Sequence, residues 1–157
     1  MRHLATVLIF AVATAMPALP ATPEQDVIKT VQKLFDAMEA RDESAIKAVL
    51  VGDAKIASIR ANQTLSNSTG ADFATRIAAA KEPLLERMWQ PKVMIEGGIA
   101  TLWAPYDFHR AGKLTHCGVD SVTLFQTADG WKISGVFFNV VEGAKCSPSP
   151  LGPPAAK

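Results

Sequence analysis

The stretch IATLWAPYDFHRAGKLTHCGVDSVTLFQT, Ile99 to Thr127, sets the architecture of this chain. Two runs of strand-forming residues are joined by Arg110-Ala111-Gly112, a hairpin loop whose glycine takes the left-handed position that other residues resist. Successive residues of a strand point to opposite sides, so the turn decides which side chains share a face. With a three-residue loop, Phe108 faces Leu114, Tyr106 faces His116, Ala104 faces Gly118 and Leu102 faces Asp120. Downstream, Asp129-Gly130 fits a two-residue turn, so Leu124 meets Gly135, Val122 meets Phe137 and Asp120 meets Asn139. One face thus collects Leu102, Tyr106, Phe108, Leu114, Val122, Leu124, Trp131, Ile133 and Phe137, with His116, Asp120 and Asn139 among them. An apolar surface with a few convergent polar groups is the description of a small-molecule pocket. A one-residue slip in either hairpin would turn this pattern inside out.

Working outward, Met88 to Glu96 and Ile99 to His109 flank Gly97-Gly98, which suits a further tight hairpin. The strands that follow are Leu114 to Thr127 and Trp131 to Asn139. Ahead of them the texture is helical. Thr22-Pro23-Glu24-Gln25 supplies an N-cap hydroxyl, a proline at the first helical position and a glutamine that closes a capping box. Val27, Ile28, Val31, Leu34, Phe35 and Met38 recur at helical spacing and predict one buried face through about Ala40. Asp42 caps a short second helix to Leu50, and Asp72 to about Lys81 predicts a third, with Phe73, Ile77 and Ala80 on one side. Ala54 to Ile59 predicts a short strand, and the polar stretch Asn62 to Gly70, with sequons at Asn62 and Asn67, a loop. Helices first and a strand meander second give an α+β domain.

The first 21 residues carry Arg2, an apolar run from Leu4 to Met16 and a small-residue end at Ala21, the order of a secretory signal peptide. That run is too short to span a bilayer, which takes roughly 20 residues. Removal of the signal leaves 136 residues, 22 to 157, with one domain from 22 to 142 and a proline-rich extended tail from 143 to 157. This remainder has 15 basic and 15 acidic residues and no basic patch, so nucleic-acid binding has no electrostatic support, and it has no other long apolar run, so no membrane segment is expected. Cys117 and Cys146 form a candidate disulfide in an oxidising compartment. Closing that loop would restrict the unfolded chain by roughly 3 kcal/mol. His116 beside Cys117 lacks spaced partners for a metal. Serine nucleophile elbow, phosphate loop and dinucleotide fingerprint are all absent from the sequence, so no cofactor is expected.

Ala40-Arg41-Asp42, the run from Ala100 to Phe108, His116-Cys117-Gly118-Val119-Asp120 and Gly130-Trp131-Lys132-Ile133 resemble the nuclear transport factor 2-like superfamily. The SnoaL-like and lumazine-binding-like branches are the most similar. The proline-rich ending after Cys146 is similar to that of exported members. The resemblance implies three N-terminal helices packed on a curved antiparallel sheet, a conical cavity, and often a homodimer. It also implies a comparison with ketosteroid isomerase, in which Asp120 stands at the protonated aspartate. The isomerase's tyrosine position is occupied by Leu34, and its proton-shuttle region, Ile56 to Ser58, holds no carboxylate. Steroid isomerisation is therefore not expected.

Fold does not fix chemistry, and three functional classes stay open. The first is an exported pocket protein that binds a small apolar or aromatic molecule without turnover, contacted by Tyr106, Asn139, Trp131, Phe137, Leu34 and Phe35. The second is a proton-transfer enzyme of isomerase or dehydratase type with Asp120 and His116 as acid and base. A carboxyl in an apolar cavity has its ionised form disfavoured, which suits it to that work. The third is an interaction module whose cavity is filled by Trp131, Phe137 and Leu34. Against the first two stands a structural reading, in which Asp120 is satisfied by His116 or Asn139. Trp103 falls on the outer face, at the tail or a dimer contact, and Asp107 and His109 on the same face are expected to be solvated.

Overall fold

Thr22 starts the first helix as its chemistry dictates. Its Oγ1 accepts from the Gln25 backbone N–H at 3.3 Å, and Gln25 Oε1 accepts from the Thr22 N–H at 2.9 Å. This computed structural model describes residues 21–155; residues 1–20, most of the expected export signal, lie outside the described residues. The capped helix α1, Pro23–Ala40, buries Val27, Val31, Leu34, Phe35 and Met38 and ends where Arg41 turns left-handed. Asp42 caps α2, Glu43–Val49, through a 2.9 Å bond from the Ala45 N–H. Thr69 caps α3, Gly70–Ala78, so this helix begins and ends earlier than its apolar spacing predicts. The seven strands are β1 (Leu50–Arg60), β2 (Leu65–Thr69), β3 (Leu84–Met88), β4 (Lys92–Glu96), β5 (Ile99–Arg110), β6 (Lys113–Thr127) and β7 (Gly130–Glu142).

These strands form one sheet in the order β2-β1-β7-β6-β5-β3, with β4 also paired to β5. The helices pack on one face of it, as an α+β cone requires. The sheet is mixed rather than antiparallel throughout, because β1 runs parallel to β7. The polar stretch read as a loop contributes β2, which pairs with β1 from Lys55–Thr69 to Ile59–Leu65. The expected strand Met88 to Glu96 is two strands, broken where Gln90 adopts a positive φ before Pro91.

Two bulges correct the expected register. At the β5–β6 turn, Ala111 and Gly112 are both left-handed, so the loop has two residues and Arg110 pairs with Lys113. Arg110 thus joins the strand, and Thr115 on β6 is an extra residue that forms a bulge, after which Phe108 pairs with His116, Tyr106 with Gly118 and Ala104 with Asp120. The net slip from the expected pairing is even, so Tyr106, Phe108, His116 and Asp120 keep their expected face. Leu114 precedes the bulge and is turned outward.

On β7 a bulge at Ser134 has the opposite consequence. Ser134 Oγ donates to the Thr123 carbonyl at 3.1 Å, and beyond it Val122 pairs with Val136 and Asp120 with Phe138. Trp131 and Ile133 precede the bulge and remain inside, whereas Phe137 and Asn139 are flipped out and Val136, Phe138 and Val140 replace them. Phe137 is accordingly 45% exposed.

Residues 143–155 of the tail lie against the outer face of the sheet. Cys117 on β6 is bonded to Cys146 just after a 3-10 turn, Gly143–Lys145, and the Arg87 guanidinium donates to the Gly152 carbonyl at 2.9 Å. Beneath this strap Asp107 is 3% and His109 5% exposed, so both are buried rather than solvated. Trp103, 52% exposed, lies clear of the tail.

Candidate functional site

Alternation along β3, β5 and β6 brings the chemistry together. On β5 and β6 the inward residues include Phe108, His116 and Asp120, and on β3, whose partner is β5, Glu86 lies opposite Phe108. They line a cavity of about 170 Å³ between the helices and the sheet. α1 contributes Leu34, Phe35 and Met38 to its walls, and α3 contributes Phe73 and Ile77. Ile56, Val136 and Phe138 complete the apolar part. Arg110 lines the cavity while its side chain remains more than half exposed, which marks the side nearest solvent.

Asp120 is the centre of the polar end. It is 1% exposed, and among the described residues neither carboxylate oxygen meets a basic side chain, a hydroxyl or a backbone N–H. Its polar neighbour is the Glu86 carboxyl, and two carboxyls bond only when a proton lies between them. Burial pushes the Asp120 pKa up to about 8, with the Glu86 contact opposing in part. Glu86 is held well above the usual carboxylate range by burial first, then by the charge and hydrogen bond of Asp120, and then by the charge of Asp107. The two therefore titrate as one unit that holds on to protons at neutral pH.

His116 belongs to the same end but is not bonded to Asp120. Its ring stacks on Phe108 with centroids 4.9 Å apart, and its Nδ1 lies 3.1 Å from the Tyr106 hydroxyl. That hydroxyl also bonds the Asn139 backbone carbonyl at 2.9 Å. A carbonyl only accepts, so Tyr106 gives its single proton to Asn139 and His116 Nδ1 carries its own. Nε2 is then left with a lone pair. Burial, followed by the charges of Arg60 and Arg110, lowers the His116 pKa to about 4, so the ring is neutral. Burial and the charges of Asp120 and Glu86 push the Tyr106 hydroxyl far upward, so it stays protonated.

Of the residues expected to contact a ligand, Leu34, Phe35, His116 and Asp120 line this cavity. Tyr106 stands behind His116 rather than in the wall. Its approach to Asn139 requires Gly118, where any Cβ would collide with the Asn139 carbonyl oxygen. Asn139 faces outward, its Oδ1 accepting from the Val119 N–H at 2.7 Å, and Phe137 lies on the outer face with Trp103. Trp131 lines a shallower groove of about 820 Å³ between α1, α2 and the β6–β7 turn, whose rim is formed by solvated charges such as Lys29, Lys33 and Asp129. Glu86 is the functional candidate absent from the sequence expectations. Its signal was the inward set Leu84, Glu86 and Met88, hidden because the strand was expected to start at Met88.

No family model and no curated protein matches the chain. Solved structures do. A superfamily protein of nuclear transport factor 2-like type from Salmonella enterica serovar Typhimurium aligns over 82% of this chain and 96% of its own, with TM-score 0.60 and 13% identity. The chain has the nuclear transport factor 2-like fold. A second protein of this type, with a cystatin-like fold and from Novosphingobium aromaticivorans, covers 78% of this chain and 84% of its own, with TM-score 0.63 and 14% identity. A dehydratase candidate of the same fold from Streptomyces avermitilis covers 76% of this chain and 99% of its own, with TM-score 0.61 and 17% identity. Identities this low carry the fold and leave the chemistry to the site.

Proposed function

We propose that this is an exported domain that binds a small, mostly apolar or aromatic molecule in the cavity between its helices and sheet, without transforming it. The observation that carries the reading is Asp120, a fully buried carboxyl whose polar neighbour is another carboxyl, Glu86, in the wall of a mostly apolar cavity. Natural proteins rarely leave such a group unsatisfied, and a ligand group at that position removes the cost. A disulfide between the only two cysteines supports work in an oxidising compartment. The outer face, with Trp103, Phe137, Ile59 and Leu65 exposed, supports a homodimer formed through the sheet. Native mass spectrometry of the protein purified from its own host tests the reading. The expected result is a retained small molecule and an even subunit count, with the molecule lost in Asp120→Leu; a bare monomer that accepts no added ligand would sink it.

A second reading, proton transfer by Asp120, is favoured by its pKa, raised by burial to about 8, where a carboxyl can both give and take a proton. His116, neutral to about pH 4, serves this reading as a hydrogen-bond acceptor more readily than as a base.

A further inference from the structure

Glu86 and Asp120 present two acids to one cavity, and neither forms an ion pair with a basic residue among the described residues. Arg110, the cation nearest the cavity, leans toward Glu82 at 3.8 Å, and its charge registers on His116 but not on either acid. The remaining walls bring aromatic rings from four separate elements, Phe35, Phe73, Phe108 and Phe138. Unpaired carboxyls beside aromatic faces are the chemistry that receives an organic cation, by hydrogen-bonded ion pairing at one end and cation–π attraction along the body. The size of the space restricts the rest of the molecule. A dry cavity of about 150 Å³ takes a benzene ring, and this one is of about 170 Å³.

Resting on the reading that this cavity binds a ligand, we propose that its polar end, Asp120 with Glu86, is an ammonium site, and that the molecule taken is a primary or secondary amine with a single-ring or short branched body. The ammonium N–H groups donate to the Asp120 oxygens, which no basic side chain or backbone N–H reaches among the described residues. An empty pair holding both protons is neutral, so an incoming ammonium displaces one proton to solvent and the complex stays neutral. The other charged or titratable groups facing the pair change little in this exchange. His116 on β6 stays neutral, Arg110 on β5 keeps to Glu82, Arg60 on β1 bears on His116 and Tyr106, and Asp107 behind the sheet is held by Arg87. From α1 and α3 only apolar side chains reach the cavity.

Three probes of one shape separate the possible occupants, a cation, a neutral molecule and an anion. Calorimetric titration of the full mature chain at pH 7 with benzylamine, benzyl alcohol and benzoate, in two buffers of different ionisation heat, reads affinity and proton release together. Benzylamine is expected to bind at least about tenfold more tightly than benzyl alcohol and to release about one proton, with benzoate weakest. In Glu86→Gln and Asp120→Asn, each checked for the wild-type circular dichroism spectrum, the benzylamine preference should fall to under about threefold. Benzyl alcohol or benzoate binding as tightly as benzylamine, or benzylamine binding without proton release, overturns the ammonium site and leaves the pocket standing. Failure of all three probes overturns the ammonium site and the pocket reading together.

Discussion

The two faces of β3, β5 and β6 carry ionisable clusters of similar burial and opposite character. On the inner face Glu86 and Asp120 lack a basic partner among the described residues. On the outer face, one residue along, Arg87 grips Asp107 with two hydrogen bonds of 2.9 and 2.6 Å, and His109 Nε2 lies 3.3 Å from the same carboxylate. Burial would raise the Asp107 pKa, but the Arg87 and His109 contacts outweigh it and hold the carboxyl below its usual range. The same burial that keeps Asp120 protonated is thus overcome at Asp107 by a guanidinium. Partners, not depth, separate a carboxylate held ionised from a carboxyl held protonated. The disulfide and the Gly152 carbonyl then close the tail over the paired cluster, while the unpaired one faces a hollow.

The comparison is broken most directly at Asp107. Asp107→Asn strands the Arg87 charge beneath the tail, and removing one partner of a buried pair costs about 3–5 kcal/mol. Urea denaturation at pH 7 should show a loss of that size; a loss under about 1 kcal/mol would mean the outer cluster is solvated in effect. At Asp120 the sign reverses. Its folded pKa of about 8 lies above its unfolded value, so in the window from pH 6.5 to 8 the native chain holds a proton that the unfolded chain has released. Stability therefore falls as pH rises through that window, by up to about 1.4 kcal/mol per pH unit, and Glu86 acts in the same direction. Below pH 6.5 His116 opposes this, because only the unfolded chain takes up its proton. Asp120→Asn should flatten the slope and be the more stable protein at pH 8. A variant less stable than wild type at every pH would show Asp120 to be a satisfied structural group.

How much of this was legible in the sequence follows from bulges. The helix caps at Thr22 and Asp42 and the stripe from Val27 to Met38 are local signals, and they were read correctly because each is decided within a few residues. Alternation placed His116 and Asp120 on the inner face although the pairing was off, because an even slip preserves sides. On β7 the single extra residue at Ser134 reversed the sides, and no local sequence pattern announces that bulge. The tail was opaque for a related reason. Prolines and an ordinary Asp-x-His pair look solvated until the disulfide sets one on the other.

The smallest effect sharpens the inner cluster without touching its acids. Tyr106→Phe removes the hydroxyl that bonds both the Asn139 carbonyl and His116 Nδ1, taking a partner from a part-buried acceptor and a part-buried donor. The expected cost is about 1–2 kcal/mol. Its more specific readout is the histidine tautomer. Nitrogen NMR of the wild-type chain should find the His116 proton on Nδ1 and a bare Nε2, because the backbone carbonyl claims the tyrosine proton. In the variant that preference has lost its cause, and the Nε2–H form should grow. A wild-type His116 protonated at Nε2 would mean that Tyr106 donates to the ring instead, and the acceptor would then be missing from the polar end of the cavity.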